Sequence, residues 1–367
     1  MENIIITHSE EKNGLFLSYI ENSPFYPDGK GGQLGDRGMI DNTSVLACYE
    51  NYVQTERFVE PGEHKYSISS QRKEDIAQQH TAQHIISAAF ENVHNIQTVG
   101  FRMDEKYSTI DLDVPVITQE LTDEMEELSN KIVSDAVQVQ EIITDIEGSK
   151  NFSLRKPLSE KIKGSVRLIR IGDFDICACA GYHVFDTSKI GLIKIIDKEK
   201  IKGNLTRIYY VAGKRAFRDY RDKNLILKSL SSILTTSHDT IEKRVSDMIK
   251  ELKDEKTLVK RISEEYAALY AAAMTEKPLK CGKYSVLLYS KNDVVSGFLG
   301  KYIDGGKYTL VIGENEDYSI STSLFDCKEF FSALQKKYGL RGGGNSSKVN
   351  FKGTITVEDI LKEISII

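Results

Sequence analysis

The sequence predicts an α+β protein with a β-rich N-terminal subdomain, a mixed α and β domain, a helical arm and a small C-terminal α/β domain. Three observations support this prediction. Short apolar runs separated by turn residues fill the first 70 residues, and a stretch rich in alanine and free of Pro and Gly follows them. Farther along, apolar residues recur at alternating intervals of four and three. The length of 367 residues is compatible with two or three domains.

The β-rich subdomain is expected over residues 1–72. Ile4–Ile6 and Leu15–Ile20 have the apolar character of short strands. The segment Phe25–Gly38 contains five glycines in fourteen residues. Because glycine tolerates positive φ and allows close backbone approach, this loop either presents backbone amides to a ligand or forms an ordinary hairpin with tight turns.

The mixed domain is expected over residues 73–215. A first helix is predicted from Glu74 to about Val93, with acidic residues in its first turn, where the helix dipole favours them. A second helix is predicted over Thr118–Val137, with Thr118 as the N-cap. Buried strands are expected at Val166–Ile171, Ile190–Ile196 and Ile208–Val211.

The helical arm is expected over residues 216–276, where two helical stretches flank Thr235–Asp239. Asp239 and Glu242 have the spacing of a capping box. The second stretch carries an apolar stripe that is interrupted at Glu255. Its members are Ile241, Val245, Met248, Leu252, Val259, Ile262, Tyr266 and Leu269. This spacing indicates a coiled coil or an antiparallel hairpin about 45–50 Å long, with a long core helix as the alternative.

The C-terminal α/β domain is expected over residues 277–367. Its predicted elements are strands at Tyr284–Ser290 and Tyr308–Gly313, a helix at Asp326–Tyr338 and an amphipathic helix from Val357. Before the last helix comes a glycine run made of Gly342, Gly343 and Gly344. Such a run either approaches a phosphate backbone or forms a flexible loop. We expect this domain, or the arm, to support a homodimer.

The distribution of charge is more informative than the net charge of −5. Residues 74–147 contain 16 acidic and three basic side chains, whereas residues 151–223 contain 17 basic and eight acidic ones, a local net charge of +9. A concentrated basic band is compatible with a polyanionic partner, although an ordinary solvated face gives the same pattern.

Several classes of protein are excluded by composition. No apolar run reaches the roughly 18–20 residues of a membrane span, and the N-terminus lacks the features of a secretory signal. The cysteines are sparse and odd in number: Cys48, Cys177, Cys179, Cys281 and Cys327. We therefore expect no disulfide framework, and we expect a reducing, cytoplasmic location.

Two short motifs predict a metal site. His80 and His84 are four residues apart on one predicted helix, which places both imidazoles on the same face. Cys179 and His183, which follow an apolar strand, supply a thiolate and a third imidazole. Together the motifs predict one tetrahedral Zn²⁺ site. Cys177, two residues before Cys179, is either a substitute ligand or a buried thiol.

At these residues the sequence resembles the editing domain of alanyl-tRNA synthetases and the free-standing AlaX proteins. The resemblance rests on His80-Thr-Ala-Gln-His84, on Cys179-Ala-Gly-Tyr-His183, on the glycine-rich loop and on the strand-like segment His183–Ile195. The arm and the glycine run are similar to the DHHA1-type domain of the long AlaX form. Two positions depart from the family pattern, because Tyr182 replaces a Thr and Lys352-Gly353 replaces a Gln-Gly pair.

The resemblance implies a trans-editing hydrolase, that is, an aminoacyl-tRNA deacylase that removes serine, or in some members glycine, from mischarged tRNA(Ala). It implies one zinc ion per chain in an editing-type domain over residues 73–215. Its implied ligands are His80, His84, Cys179 and His183. It also makes Gln33 and Asp36 active-site polar groups, and Tyr182 a residue that affects the amino-acid pocket.

The basic band and the glycine run supply the expected contacts to tRNA phosphates. The basic candidates are Arg155, Lys156, Lys161, Lys163, Arg167 and Arg170. Two other functions stay open. A closed shell of four protein ligands is typical of a structural zinc, which suggests a tRNA-binding module without catalysis. The kinship of the C-terminal domain suggests a metal-dependent phosphoesterase, but the sequence has no Asp-His-His cluster for a two-metal site.

Overall fold

Helices and strands both contribute extensively to the fold, which confirms the mixed α and β class predicted from the sequence. The computed structural model describes residues 2–159, 163–291 and 293–367. It divides into two compact units, Met1–Ser229 and Leu230–Ile367, and the first contains the predicted metal-binding motifs. None of the helices in these ranges is both long and apolar enough to cross a membrane.

A closed antiparallel barrel forms the start of the first unit. In its first strand Ile4 and Ile6 are buried, whereas Ile5 between them is 62% exposed, because successive side chains of a strand point to opposite faces. The strands are β1 (Glu2–Lys12), β2 (Leu15–Ile20), β3 (Gly38–Ile40), β4 (Thr43–Cys48), β5 (Tyr52–Thr55) and β6 (Gly62–Ile68). They follow the order β1-β2-β5-β4-β3-β6, and β6 pairs with β1 to close the barrel.

The central helix of this unit, α1 (Ser70–His94), is buried on every side along its middle. All fifteen residues from Ile76 to Phe90 are buried. Ser69 caps the helix by accepting a hydrogen bond from the backbone N–H of Arg72. Because of this cap the helix begins before Glu74, and the predicted acidic first turn is wrong.

Two sheets and a second helix complete the unit. Its further elements are β7 (Thr98–Met103), β8 (Ser108–Leu112), α2 (Gln119–Ser134), β9 (Val139–Asp145), α3 (Ile146–Ser149), β10 (Ser165–Ile171), β11 (Asp175–Ala178), β12 (Ile193–Lys200) and β13 (Thr206–Ala212). The sheets have the orders β12-β13-β8-β7 and β11-β10-β9. Thr118 caps α2 as predicted, but the strand expected from Ile190 begins at Ile193, because Thr187–Ile190 form a 3-10 turn.

Two long helices follow, α4 (Lys214–Leu234), most of which belongs to the first unit, and α5 (Ile241–Glu276), which belongs to the second. The predicted capping box is wrong, since Thr240 is the N-cap of α5 and makes no side-chain cap hydrogen bond. The stripe of α5 is exposed, for example 52% at Leu252 and 53% at Ile262, so its residues are not those of a core helix. At about 1.5 Å per residue, the 36 residues of α5 span about 54 Å.

The rest of the second unit is a six-stranded sheet with three helices. Its elements are β14 (Leu279–Cys281), β15 (Tyr284–Tyr289), α6 (Ser296–Leu299), β16 (Thr309–Glu314), β17 (Asp317–Ser321), α7 (Cys327–Tyr338), β18 (Arg341–Gly344), β19 (Lys348–Lys352) and α8 (Val357–Ile366). The order is β14-β15-β16-β17-β19-β18. The glycine run Gly342, Gly343 and Gly344 therefore lies in an exposed edge strand paired with β19, and not in a loop.

Candidate metal centre

The first pair of donors lies in the buried middle of α1. His80 and His84 are 2% and 3% exposed, and their ring centroids are 5.5 Å apart. The spacing of four residues places both rings on one face of the helix. Burial excludes water as the main partner of these polar rings, so each needs a partner within the protein or a bound ion.

The second pair lies in the loop after β11. Arg167 fixes this loop, since its Nη1 donates to the carbonyl oxygens of Cys179 and Gly181 at 2.8 and 2.9 Å. A Cβ atom at Gly181 would lie 2.3 Å from His80 Nδ1 and 2.4 Å from Gln33 Oε1. Glycine is therefore required at this position by the close approach of the loop to α1.

The four predicted donors converge. Cys179 Sγ lies 3.4 Å from His80 Nε2 and 3.3 Å from His183 Nε2. The donor atoms of the full set, which includes His84, lie within 4.8 Å of one another. Since Zn–S is about 2.3 Å and Zn–N about 2.0–2.1 Å, tetrahedral zinc holds sulfur and nitrogen donors about 3.5 Å apart. One soft thiolate with three imidazoles also suits zinc, so the residues fit this metal.

The outer nitrogen of each imidazole has its own hydrogen-bond partner. His80 Nδ1 is 2.8 Å from Gln33 Oε1, and His84 Nδ1 is 2.9 Å from Asp175 Oδ2. His183 Nδ1 is 3.1 Å from the hydroxyl of Thr81. All three contacts fix ring orientation. For His80 and His84 the partner is a pure acceptor, which places the proton on Nδ1 and leaves the inner Nε2 lone pair for a metal.

Asp175 joins the site to a buried arginine. Its carboxylate accepts from Arg155 Nε at 2.7 Å as well as from His84. The Arg155 side chain is only 5% exposed, and the two groups form a buried ion pair. The structure thus places this predicted phosphate contact behind the donor cluster, with its guanidinium bound to a carboxylate.

The glycine-rich loop brings Gln33 and Asp36 to the site. Gly29, Gly31 and Gly32 have φ of 82°, 63° and 77°, which glycine adopts without strain. Gln33 Oε1 accepts from His80 and from the backbone N–H of Tyr182 at 3.0 Å. These two donors assign the amide orientation, so that Gln33 Nε2 is a buried donor without a partner among the described residues.

Tyr182 is fixed by the same loop. Its hydroxyl donates to Asp36 Oδ2 at 2.9 Å, and its ring lies 5.2 Å from that of Tyr26. Burial and the Asp36 carboxylate raise the pKa of Tyr182, so its hydroxyl stays protonated and acts as the donor. The Lys73 ammonium lies 4.4 Å from the centre of the Tyr182 ring.

The cluster favours the thiolate form of Cys179. Burial alone would raise the pKa of this thiol, but the three imidazoles around the sulfur outweigh burial and hold that pKa far below its usual value. The thiolate is the form that binds metals. Cys177, in contrast, lies outside the cluster, and burial raises the pKa of its thiol.

The remaining basic candidates lie in different surroundings. Lys156 is half-buried, and burial together with the neighbouring Arg155 guanidinium lowers its pKa. Lys163 is exposed before β10. Arg170 donates to Gly172 O at 2.8 Å and to the Asp173 carboxylate at 2.6 Å. Lys161 lies outside the described residues.

Sequence reasoning did not identify Thr81 or Asp175. Thr81 follows the first ligand directly and binds His183 across 102 positions of sequence, so no local pattern reveals the pairing. The sequence does contain a signal for Asp175. It is a polar residue in an otherwise apolar strand, and its spacing of two and four residues from Cys177 and Cys179 places it on the same face of that strand.

Comparison with known proteins agrees with this geometry. Residues 166–209 match the family model described as the threonyl and alanyl tRNA synthetase second additional domain. The alanyl-tRNA editing protein AlaX-L of Pyrococcus horikoshii is 23% identical over 347 residues, which cover 89% of this chain and 85% of that protein.

Two longer relatives are matched over part of their length. The alanyl-tRNA editing protein Aarsd1 of Bos taurus is 30% identical over 62% of this chain and 54% of that protein. The alanine--tRNA ligase of Methanococcus aeolicus is 26% identical over 73% of this chain, which spans 31% of the ligase.

The domain match gives the class first: residues 166–209, which include Cys179 and His183, are similar to the second additional domain of threonyl- and alanyl-tRNA synthetases. More particularly, it is related to the AlaX-type alanyl-tRNA editing proteins, with a match that extends over most of its length.

Proposed function

We propose that the chain is a zinc-dependent hydrolase that deacylates mischarged tRNA(Ala), with serine as the preferred amino acid and glycine as a second. The observation that carries this proposal is the convergence of His80, His84, Cys179 and His183 in a chain related to alanyl-tRNA editing proteins. The reaction is hydrolysis of the ester between the amino acid and the 3′-terminal ribose.

The four donors would hold the zinc ion, which supplies a Lewis acid that orients or polarises a bound group. The chain itself supplies Gln33 Nε2, a buried donor that needs a partner. We assign this amide the role of donating to the ester carbonyl or to the substrate hydroxyl. Asp36 acts as a positioning residue, because its Oδ2 already accepts from Tyr182 and from the backbone of Tyr26.

Selection of serine over alanine follows from a polar group that must be satisfied. A site built to hydrogen-bond a hydroxyl disfavours the analogue without it, because the buried group is then left without a partner. Gln33 Nε2 is such a group, and the Oε1 of the same amide accepts from the backbone N–H of Tyr182, whose ring is held by Asp36. Glycine also lacks the hydroxyl, so we expect it to be removed more slowly than serine. We therefore place amino-acid selection at Gln33 and Tyr182.

The test is deacylation of Ser-tRNA(Ala), Gly-tRNA(Ala) and Ala-tRNA(Ala) by purified protein, with and without a zinc chelator. The proposal expects rapid loss of serine, slower loss of glycine and of alanine, and no acceleration of any of the three reactions after chelation. The His80→Ala variant should behave like the chelated protein and contain less than one zinc per chain. Ester decay at the uncatalysed rate with the zinc-loaded protein would refute the proposal.

The alternative is a tRNA-binding module with a structural zinc. The observation in its favour is the donor set itself, since four protein ligands fill a tetrahedral shell. Tight binding of tRNA(Ala) without turnover of any of the three esters would establish this alternative.

The second unit is the part of the chain to which we assign dimerisation. We assign it the role of a DHHA1-like domain and infer that the exposed stripe of α5 supports a homodimer. Apolar side chains that are this exposed, such as Leu269 at 73%, are stabilised when a second surface covers them.

A further inference from the structure

The first turns of α4 carry an unusual surface. Phe217 and Tyr220 are 67% and 68% exposed, and their spacing of three residues places both on one face of the helix. Arg218 lies beside Phe217, is exposed, and forms no ion pair with the part of the chain that the structure describes. Exposed aromatic rings beside a free cation are the combination that recognises unpaired bases and phosphates.

Phe217 and Arg218 border a cleft of about 480 Å³. The opposite wall is the start of α1, with Ser69, Gln71 and Arg72. This volume lies in the range of small-ligand sites.

The other charges of the cleft are compensated. Arg72 pairs with Glu105 at 2.8 Å, Asp75 with Arg215 at 2.7 Å, and Lys214 with Glu74 at 3.0 Å. These pairs leave the Arg218 guanidinium as the uncompensated charge among the lining residues.

One residue of the cleft contacts the glycine-rich loop that reaches the metal centre. Arg72 Nε donates to the carbonyl oxygen of Gly35 at 2.8 Å, next to Asp36, whose carboxylate holds Tyr182. Lys73, the neighbour of Arg72, lies over the Tyr182 ring and has no carboxylate partner among the described residues. Beside the compensated Arg72, Lys73 therefore adds a positive charge that contacts a residue of the ligand loop.

We propose that Phe217, Tyr220, Arg218 and the cleft beside them bind the unpaired 3′-terminal nucleotides of the tRNA, with bases stacked on the two rings and a phosphate on Arg218. This inference rests on the proposed function. The ester to be cleaved is carried by the last of these nucleotides, so the preceding ones must lie next to the metal centre. Stacking requires bases that are not already paired, which excludes the acceptor helix as the occupant.

The test compares the binding of two RNAs by the unmodified chain and by its variants, measured by fluorescence anisotropy. The RNAs are 5′-labelled uncharged tRNA(Ala) and the same tRNA without its unpaired 3′-terminal nucleotides. The proposal expects Phe217→Ala to weaken binding of the intact tRNA about tenfold and to leave binding of the truncated tRNA unchanged. Phe217→Trp should restore the affinity, because it restores a stacking surface.

Two further variants sharpen the test. Arg218→Gln should make the slope of log affinity against log salt concentration shallower by the equivalent of about one phosphate contact, and only for the intact tRNA. Phe58→Ala, which removes a 44% exposed ring of the barrel, is the matched control and should bind as the unmodified chain does. Zinc content and the unfolding midpoint verify that each variant is folded.

The outcomes separate this inference from the proposed function. The inference would be overturned if Phe217→Ala weakened the binding of both RNAs equally, or weakened the binding of neither. It would also be overturned if the variant changed self-association without changing the affinity for RNA. Each of these results is compatible with normal deacylation of Ser-tRNA(Ala). Failure of the unmodified, zinc-loaded chain to hydrolyse that ester would instead overturn the proposed function.

Discussion

At the scale of single residues, the position of each imidazole depends on partners outside the donor set. His84 is the clearest case, because Asp175 accepts its Nδ1–H and is itself held by Arg155. The Arg155 guanidinium compensates the buried negative charge of Asp175, which would otherwise be costly. Asp175 is therefore a positioning residue for the metal centre.

We predict that Asp175→Asn lowers zinc affinity about 10- to 100-fold, since an uncharged acceptor weakens the basicity and orientation of His84. Competition with a chromophoric chelator measures this affinity directly. Asp173→Asn is the matched control, because that carboxylate is 95% exposed and contacts Arg170 on the surface. Equal affinity of the Asp175 and Asp173 variants would contradict the role given to Asp175.

The limits of sequence reasoning at this scale are shown by the arginines. The four donors were identified because helix and loop spacings translate into geometry. Arg155 and Arg167 were expected to contact phosphates because sequence shows a charge and not its partner. In the structure one binds Asp175 and the other binds two carbonyl oxygens of the ligand loop. Those partners are 12 to 20 positions away and are brought close by the sheet.

At the scale of elements, α1 shows why a polar sequence can be a core helix. Gln78, Gln79 and Gln83 look like a solvated face, yet all three are buried. Gln79 explains how, because its amide donates to Ala212 O at 2.8 Å and accepts from Ala212 N at 2.9 Å. A helix can thus be buried all round without an apolar stripe when its polar side chains satisfy backbone groups of neighbouring strands.

We predict that Gln79→Ala destabilises the first unit by about 2–4 kcal/mol, since it leaves both backbone groups of Ala212 buried without partners. Urea unfolding followed by circular dichroism provides the measurement. Gln140→Ala on the exposed face of β9 is the control and should change stability by less than about 0.5 kcal/mol. A similar midpoint for the two variants would show that water replaces the lost contacts.

At the scale of the whole molecule, the repeat on α5 was readable from sequence, but its partner was not. The intervals of four and three predicted a helix, and the helix is present. What covers its stripe depends on a surface that no local pattern specifies. A stripe of this spacing is satisfied by a second helix of the same kind, which a second copy of the chain would provide.

We predict that Leu252→Glu shifts the chain from dimer to monomer, because it places a charge in the centre of the apolar seam. Sedimentation velocity over a range of concentrations measures the change. Lys253→Glu alters charge one residue away on a different face of α5 and should leave the dimer intact. A monomer for the unmodified chain at high concentration would remove the proposed assembly.

Zinc should stabilise only one of the two units. The donors all lie in the first unit, and each unit has hydrophobic clusters of its own. A ligand that binds the folded state at 100 times its Kd adds about 2.7 kcal/mol to the stability of the unit that binds it. Calorimetry of the full chain should therefore show two unfolding transitions, and chelation should lower the midpoint temperature of one of them. In His84→Ala that transition should already be low and insensitive to chelator, whereas the other keeps its midpoint. If chelation lowered both transitions equally, the two units would unfold as one cooperative structure, and the metal centre would stabilise the entire chain.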